Sequence, residues 1–273
     1  MSKFDRISCH HFIEREGRIY FSNWFYNGLF QVEPETGKTT FLGSFEKETE
    51  SEYNLHWELF QWKGMIYFFP RRGRHVHVYS PTNHSMSTIE VRTLSDNFFR
   101  IDEVLVDGEN VILLPMEKNA PIKKLDLNTR ILTDIKKMPE ASKVIHLSQS
   151  WPPFPIPQLL ERYQIEKADK FSWKQMPDGR WCAFLPMGRH LLWHTPGTPT
   201  INPVPLTVVN ESELDAYLQP MRQAYLFQGA LAENRPLSFH EYLKTIVYYN
   251  DNLITTNHEK GGNGQSIWHH IKV

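Results

Sequence analysis

The stretch Pro70-Arg-Arg-Gly-Arg-His-Val-His-Val-Tyr79 carries three arginines and a His-x-His pair within ten residues. A second stretch, Pro186-Met-Gly-Arg-His-Leu-Leu-Trp-His194, repeats its Gly-Arg-His. Three readings fit such a segment: a basic nucleic-acid patch, a metal site, or a turn that enters a strand. His75 and His77 are two apart, so on a strand they face the same side, a spacing that supports metal ligation. Two histidines are only part of a ligand set. His10-His11 and His269-His270 are neighbours that alternation sends to opposite faces, so neither pair ligates together simply.

Other chemistry is thinly signposted. Glycoside hydrolysis needs two carboxyls about 5 to 9.5 Å apart, and Glu58, Asp102, Glu103 and Glu117 are the acids available to that task. None has diagnostic neighbours. The chain has no Gly-x-Ser-x-Gly elbow, no phosphate-binding loop and no Cys-x-x-Cys pair. Gly261-Gly-Asn-Gly264 lies between strand candidates, without the helix that a phosphate-binding loop requires. Trp24, Trp57 and Trp151 are aromatics able to stack on a sugar or a peptide side chain, although most aromatics in an alternating sheet protein pack in the core. Trp24 and Trp151 fall in loops and keep the ligand role.

The elements that must position these residues come from an internal repeat. Five segments read as a turn, a short apolar run and a polar loop: Gly17 to Asn23, Gly64 to Pro70, Gly108 to Pro115, Gly179 to Pro186 and Asn252 to Asn257. Each follows a hairpin signal: Glu16-Gly17, Lys63-Gly64, Asp107-Gly108, Asp178-Gly179, or Asn250-Asp251-Asn252. Such turns call for positive φ, which glycine and asparagine adopt at little cost. One strand candidate precedes each turn and two more follow, which makes four antiparallel strands per unit. In the second unit the last two are His75 to Tyr79 and Met86 to Arg92.

This grammar resembles that of the β-propeller superfamily across most of the chain, and the resemblance stops short of any named family. It implies an all-β fold, a five-bladed β-propeller with two short helical insertions. The blades are expected near residues 7-46, 53-93, 98-138, 168-209 and 243-273, with insertions near 141-167 and 211-242. A strand within residues 2-8 would complete the last blade. In the second insertion Leu214, Tyr217, Leu218, Met221, Tyr225 and Leu226 follow helical spacing, which Pro220 is expected to interrupt.

In a propeller the loops between second and third strands share one mouth with the starts of the inner strands. The repeat sends Trp24, Arg71, Arg72, Lys118, Arg189, His190 and His258 there, with His10, His56 and Arg100 at inner-strand starts. Arginines gathered at a mouth suit a carboxylate, phosphate or sulfate group, because guanidinium donates two parallel hydrogen bonds. The bland alternative is a set of separately solvated loops. The third-strand position of His77 turns it between blades, which favours a structural histidine, and no metal or cofactor is assigned.

The functional expectation is a polar or anionic ligand, a glycan or a peptide, bound at the mouth of the central channel. One alternative is a propeller enzyme, a hydrolase or lyase, using His56 with Glu117. Another is an interaction scaffold whose helical insertions hold a protein partner. With 30 Lys and Arg against 31 Asp and Glu, no global field favours nucleic acid or an anionic membrane. Only two cysteines, Cys9 and Cys182, occur in 273 residues, and no segment has the apolar length to span a bilayer. Those features give the expectation of a cytoplasmic protein.

Overall fold

The computed structural model describes residues 3-48, 54-91, 101-116, 120-136, 145-146, 173-185, 188-198 and 201-232. Among them the chain is all-β apart from one helix and a short 3-10 turn, and its strands form four meandering antiparallel sheets. Sheet I contains β1 (Ile13–Arg15), β2 (Arg18–Ser22), β3 (Leu29–Glu33) and β4 (Lys38–Gly43). Sheet II contains β5 (His56–Trp62), β6 (Met65–Pro70), β7 (His75–Ser80) and β8 (Ser85–Glu90). Sheet III contains β9 (Ile101–Asp107), β10 (Asn110–Pro115), β11 (Ile122–Asp126) and β12 (Leu132–Ile135), with the two-residue β13 (Ile145–His146) paired to β9. Sheet IV contains β14 (Lys174–Gln175), β15 (Trp181–Phe184), β16 (His190–His194) and β17 (Ile201–Pro205).

Two of the hairpins follow directly from turn chemistry. Glu16 and Gly17 take φ of 52° and 74°, and Lys63 and Gly64 take 44° and 80°. Two successive positive φ values give the turn whose twist matches that of the strands it joins. Alternation then gives each strand two working faces. On β6, Ile66 and Phe68 enter a core shared with Ile13, Tyr20 and Leu29 of sheet I. Their neighbours Tyr67 and Phe69 enter a second core with Val104, Val106, Val111 and Leu113 of sheet III. Sheet II is therefore packed on both faces, and each fully buried large side chain contributes roughly 1.5–3 kcal/mol.

Sheet IV meets sheet I on its other side. The Phe21 and Phe184 rings lie 4.5 Å apart, Lys174 Nζ donates to Phe12 O at 3.1 Å, and Trp193 Nε1 donates to Pro34 O at 3.2 Å. The four sheets thus succeed one another face to face in the order IV, I, II, III, the arrangement of propeller blades. The segment 243-273, expected as the fifth blade, lies outside the described residues. The neighbour of sheet I on the side where that blade was expected is sheet IV.

Two details depart from the sequence expectation. The N-terminal residues form no strand: Lys3–Asp5 is a 3-10 turn, and Ile7 N–H donates to Gly188 O at 3.1 Å. Phe4 and Ile7 are buried, so side-chain anchoring takes the place of strand pairing. After β17 the chain forms β18 (Thr207–Val208), which runs parallel to β4. The helix α1 (Glu211–Ala232) then runs through Pro220 without interruption, although the proline cannot donate to the Ala216 carbonyl. Of the first insertion, 141-167, only residues 145-146 are described, and they are strand. Residues 212-273 cluster as a unit separate from residues 1-211. No helix among the described residues is long and apolar enough to cross a membrane.

Candidate functional site

Backbone hydrogen bonds gather four chain segments at one end of sheets I and II. Trp24 N–H donates to Ser8 O at 2.8 Å, Asn54 N–H donates to Trp24 O at 2.7 Å, and Arg71 N–H donates to Leu55 O at 2.9 Å. Two buried asparagines hold the turn from β2 to β3. Asn23 Oδ1 accepts from Ser8 N–H at 3.0 Å, and Asn27 Oδ1 accepts from Phe45 N–H at 2.8 Å. A short amide side chain imitates a peptide group, so each asparagine replaces a backbone partner the loop lacks.

The side chains carried there form a cation-aromatic cluster. His10 packs on Trp24 with ring centroids 3.7 Å apart, and on Trp57 at 5.4 Å. The Arg71 guanidinium carbon lies 4.0 Å from the Trp57 ring centroid. His10, Trp24, Trp57 and Arg71 are all half-buried. Burial pushes the His10 imidazole down to about 3, helped by neighbouring His11 and Arg71, so it is neutral at ordinary pH. Beside this cluster His11 Nδ1 lies 3.2 Å from Glu58 Oε2, both nearly buried. Burial lowers the pKa of Lys174 of β14, against the opposing pull of the Glu14 and Glu58 charges.

Trp57 reaches the cluster through a bulge. The register of β5 against β6 shifts between His56 and Glu58, leaving Trp57 without a cross-strand partner. A bulge of this kind re-aims a side chain. Plain alternation would assign Trp57 to the core, and no sequence signal marks the bulge.

The predicted residues divide three ways. Trp24 and Arg71 are in the cluster, and Arg72 lies in the same turn, its N–H 3.4 Å from Leu55 O. Arg189 takes different partners: Nη1 donates to Glu211 Oε1 at 3.0 Å and Nε donates to Asp5 O at 2.9 Å. His190 is half-buried, and its Nδ1 is buried without a hydrogen bond. Arg100, Glu117, Lys118 and His258 lie outside the described residues, as does Trp151.

His56 lies inside sheets I and II rather than on the rim. Its Nδ1 is 2.9 Å from Ser22 Oγ, its Nε2 is 2.9 Å from His77 Nδ1, and His77 Nε2 is 2.9 Å from Glu46 O. A carbonyl only accepts, so the proton directions along this chain are fixed. His77 Nε2–H donates to Glu46 O, His56 Nε2–H donates to His77 Nδ1, and the Ser22 hydroxyl donates to His56 Nδ1. Both imidazoles are then neutral, in keeping with burial, which lowers both pKa values. The His77 ring faces the connection from sheet I to sheet II, where it packs 5.0 Å from Phe45.

Next to His77 stands a residue that the sequence analysis passed over. Glu48, in the connection from sheet I to sheet II, places Oε1 2.9 Å from His75 Nδ1. The same oxygen accepts from Arg74 N–H at 2.6 Å and from His75 N–H at 2.8 Å. It fixes the turn that carries Arg71.

No family model matches the chain, and no curated protein does. Among solved structures it is similar to a selenomethionine-substituted virginiamycin B lyase from Staphylococcus aureus, at 11% identity and TM-score 0.36, over 70% of this chain and 53% of that one. A streptogramin B lyase structure gives 13% identity and TM-score 0.37, over 76% of this chain and 71% of that one. The extracellular domain of a one component system from B. thetaiotaomicron gives 14% identity and TM-score 0.32, over 76% of this chain and 22% of that one. The chain thus spans about a fifth of the last and about half of the first.

Proposed function

We propose that the chain binds a polar or anionic ligand, a glycan or a peptide, at the rim formed by His10, Trp24, Trp57 and Arg71. The observation that carries this reading is Arg71 stacked 4.0 Å over Trp57, with Trp24 and His10 alongside. Stacking uses the face of a guanidinium, whereas carboxylate or sulfate recognition uses its N–H edge, so one side chain serves both purposes. The Trp24 and Trp57 rings, 6.1 Å apart, supply the apolar surface on which a sugar face or a peptide side chain stacks. Binding should be screened by calorimetry against acidic and neutral oligosaccharides and acidic peptides. Arg71→Ala and Trp24→Ala should each weaken the best binder by roughly tenfold while the melting temperature holds. Binding that survives both changes rules out this rim.

A second reading, an enzyme, is favoured by one pair. His11 Nδ1 at 3.2 Å from Glu58 Oε2 is the arrangement in which a carboxylate orients an imidazole for proton transfer. Glu58→Gln should then abolish turnover and leave binding intact. His56 suits that role less, because both its nitrogens are engaged inside the protein. A cytoplasmic setting belongs to this proposal too, supported by two cysteines that are free and buried.

A further inference from the structure

The His-x-His pair of β7 is joined by a third potential ligand. Glu48, His75 and His77 each offer one ligand atom, and the three atoms lie within 4.8 Å of one another. They come from different elements, Glu48 from the connection between sheets I and II and the histidines from β7. All three side chains are withdrawn from solvent: those of Glu48 and His75 are 5% and 7% exposed, and His77 is fully buried. We propose that Glu48, His75 and His77 form a binding site for one divalent transition-metal ion of the zinc type, a two-histidine, one-carboxylate set with a fourth position for water.

The geometry is close to what such an ion requires. Ligand atoms about 2.0 Å from a tetrahedral ion stand about 3.3 Å from each other. His75 Nδ1 and Glu48 Oε1, at 2.9 Å, have to part by about 0.4 Å to reach that spacing, and the third atom, within 4.8 Å, has to approach by at most about 1.5 Å. Two imidazoles with one carboxylate suit zinc or cobalt better than magnesium or calcium, which prefer oxygen throughout.

Three further observations support a built site. Lys47, between Glu46 and Glu48, has φ of 62°. A lysine in the left-handed region is uncommon, and the surrounding structure must hold it there. That conformation brings the Glu46 carbonyl and the Glu48 carboxylate to the same histidine face. The carboxylate is also oriented in advance by the Arg74 and His75 backbone N–H groups. Both bonds fall on Oε1, and the two oxygens together have room for about four contacts, so the carboxylate is positioned through one oxygen and keeps ligating capacity on the other.

The third observation is the buried chain from Ser22 through His56 to His77. A ligating histidine needs a partner on its other nitrogen to fix its tautomer and orientation. His77 has one, because His56 Nε2 stands 2.9 Å from its Nδ1. Metal on His77 Nε2 requires the proton pattern to reverse. His77 Nδ1–H then donates to His56 Nε2, and His56 Nδ1–H donates to Ser22 Oγ. Each ring keeps one proton and the Ser22–His56–His77 chain keeps its heavy-atom positions, while the Glu46 carbonyl, now 2.9 Å from His77 Nε2, has to draw back to admit the ion and then accepts from a metal-bound water.

The test uses the full-length protein after dialysis against a chelator. Zinc is titrated by calorimetry, and cobalt by its visible absorption. The expected result is one zinc per chain with a dissociation constant at or below about 1 μM, and the intense spectrum of four-coordinate cobalt. Glu48→Gln and His75→Asn should each weaken zinc binding by about 100-fold or more, and His56→Phe by about 10-fold with the stoichiometry kept at one. The glutamine keeps an oxygen acceptor for the two backbone N–H groups, so it separates metal ligation from loop support. No saturable binding, or binding unchanged by Glu48→Gln and His75→Asn, overturns the proposal. Should a variant fail to fold, nitrogen NMR of the wild-type imidazoles decides: zinc must shift His75 and His77, and unshifted resonances overturn it. The outcome is independent of whether the rim cluster binds a ligand.

Discussion

His10 is the residue whose ionisation the rim controls most strongly. Burial first, then His11 and Arg71, push its imidazole down to about 3, against about 6.5 in an unfolded chain. Between those values the unfolded state holds the extra proton and the folded state does not. The contribution to stability is therefore complete above about pH 6.5 and is lost progressively as the pH falls toward the folded value. Melting curves should show a smaller drop between pH 7 and pH 5 for His10→Asn than for the unaltered protein. Equal drops would mean that His10 titrates normally in the fold. At this scale the sequence was informative for residues with a repeat position and silent for those without one. Trp24 and Arg71 were legible because they occupy the same loop in successive units. Glu48 was not, because the connection between sheets has no periodicity and the carboxylate matters only through contacts with β7.

Elements were legible wherever a turn demanded an unusual backbone. Glu16-Gly17 and Lys63-Gly64 mark hairpins in the sequence and adopt positive φ in the structure. The bulge at Trp57 has no such mark, since bulges answer to packing between strands rather than to residue type. Pro220 misled in the opposite direction: local propensity argued for a break, and the helix continues through it. Gly37 provides a test at this level. Its φ is 72°, and a Cβ added there would strike the Pro205 carbonyl of β17. Gly37→Ala should cost at least about 2 kcal/mol in chemical denaturation, because backbone strain and collision act together. A loss under about 0.5 kcal/mol, typical of a surface change, would show that β17 does not approach the turn so closely.

For the molecule as a whole, the repeat announced sheets of four strands, and four such sheets are described in residues 1-211. How sheets become neighbours was not legible. Sheet IV reaches sheet I through Phe184, Lys174 and Trp193, residues whose importance depends on what lies opposite them. The blade count read from spacing alone was five. The described contacts join the fourth sheet directly to the first, and residues 243-273 lie outside the description.

The short strand β18 has a consequence for solubility. Thr207 N–H donates to Gly37 O at 2.9 Å, Val209 N–H donates to Thr39 O at 2.8 Å, and Asn210 closes both backbone groups of Phe41 at 3.0 and 2.8 Å. Residues 207-210 thereby occupy the outer margin of β4, which would otherwise present a row of unmet donors and acceptors to any passing strand. Such margins template pairing between molecules. A chain ending at residue 205 should consequently self-associate in a concentration-dependent way in sedimentation experiments, and a synthetic peptide covering residues 206-211 should suppress that association. Two residues of parallel pairing and one asparagine side chain thus act as a guard against recruitment of like chains.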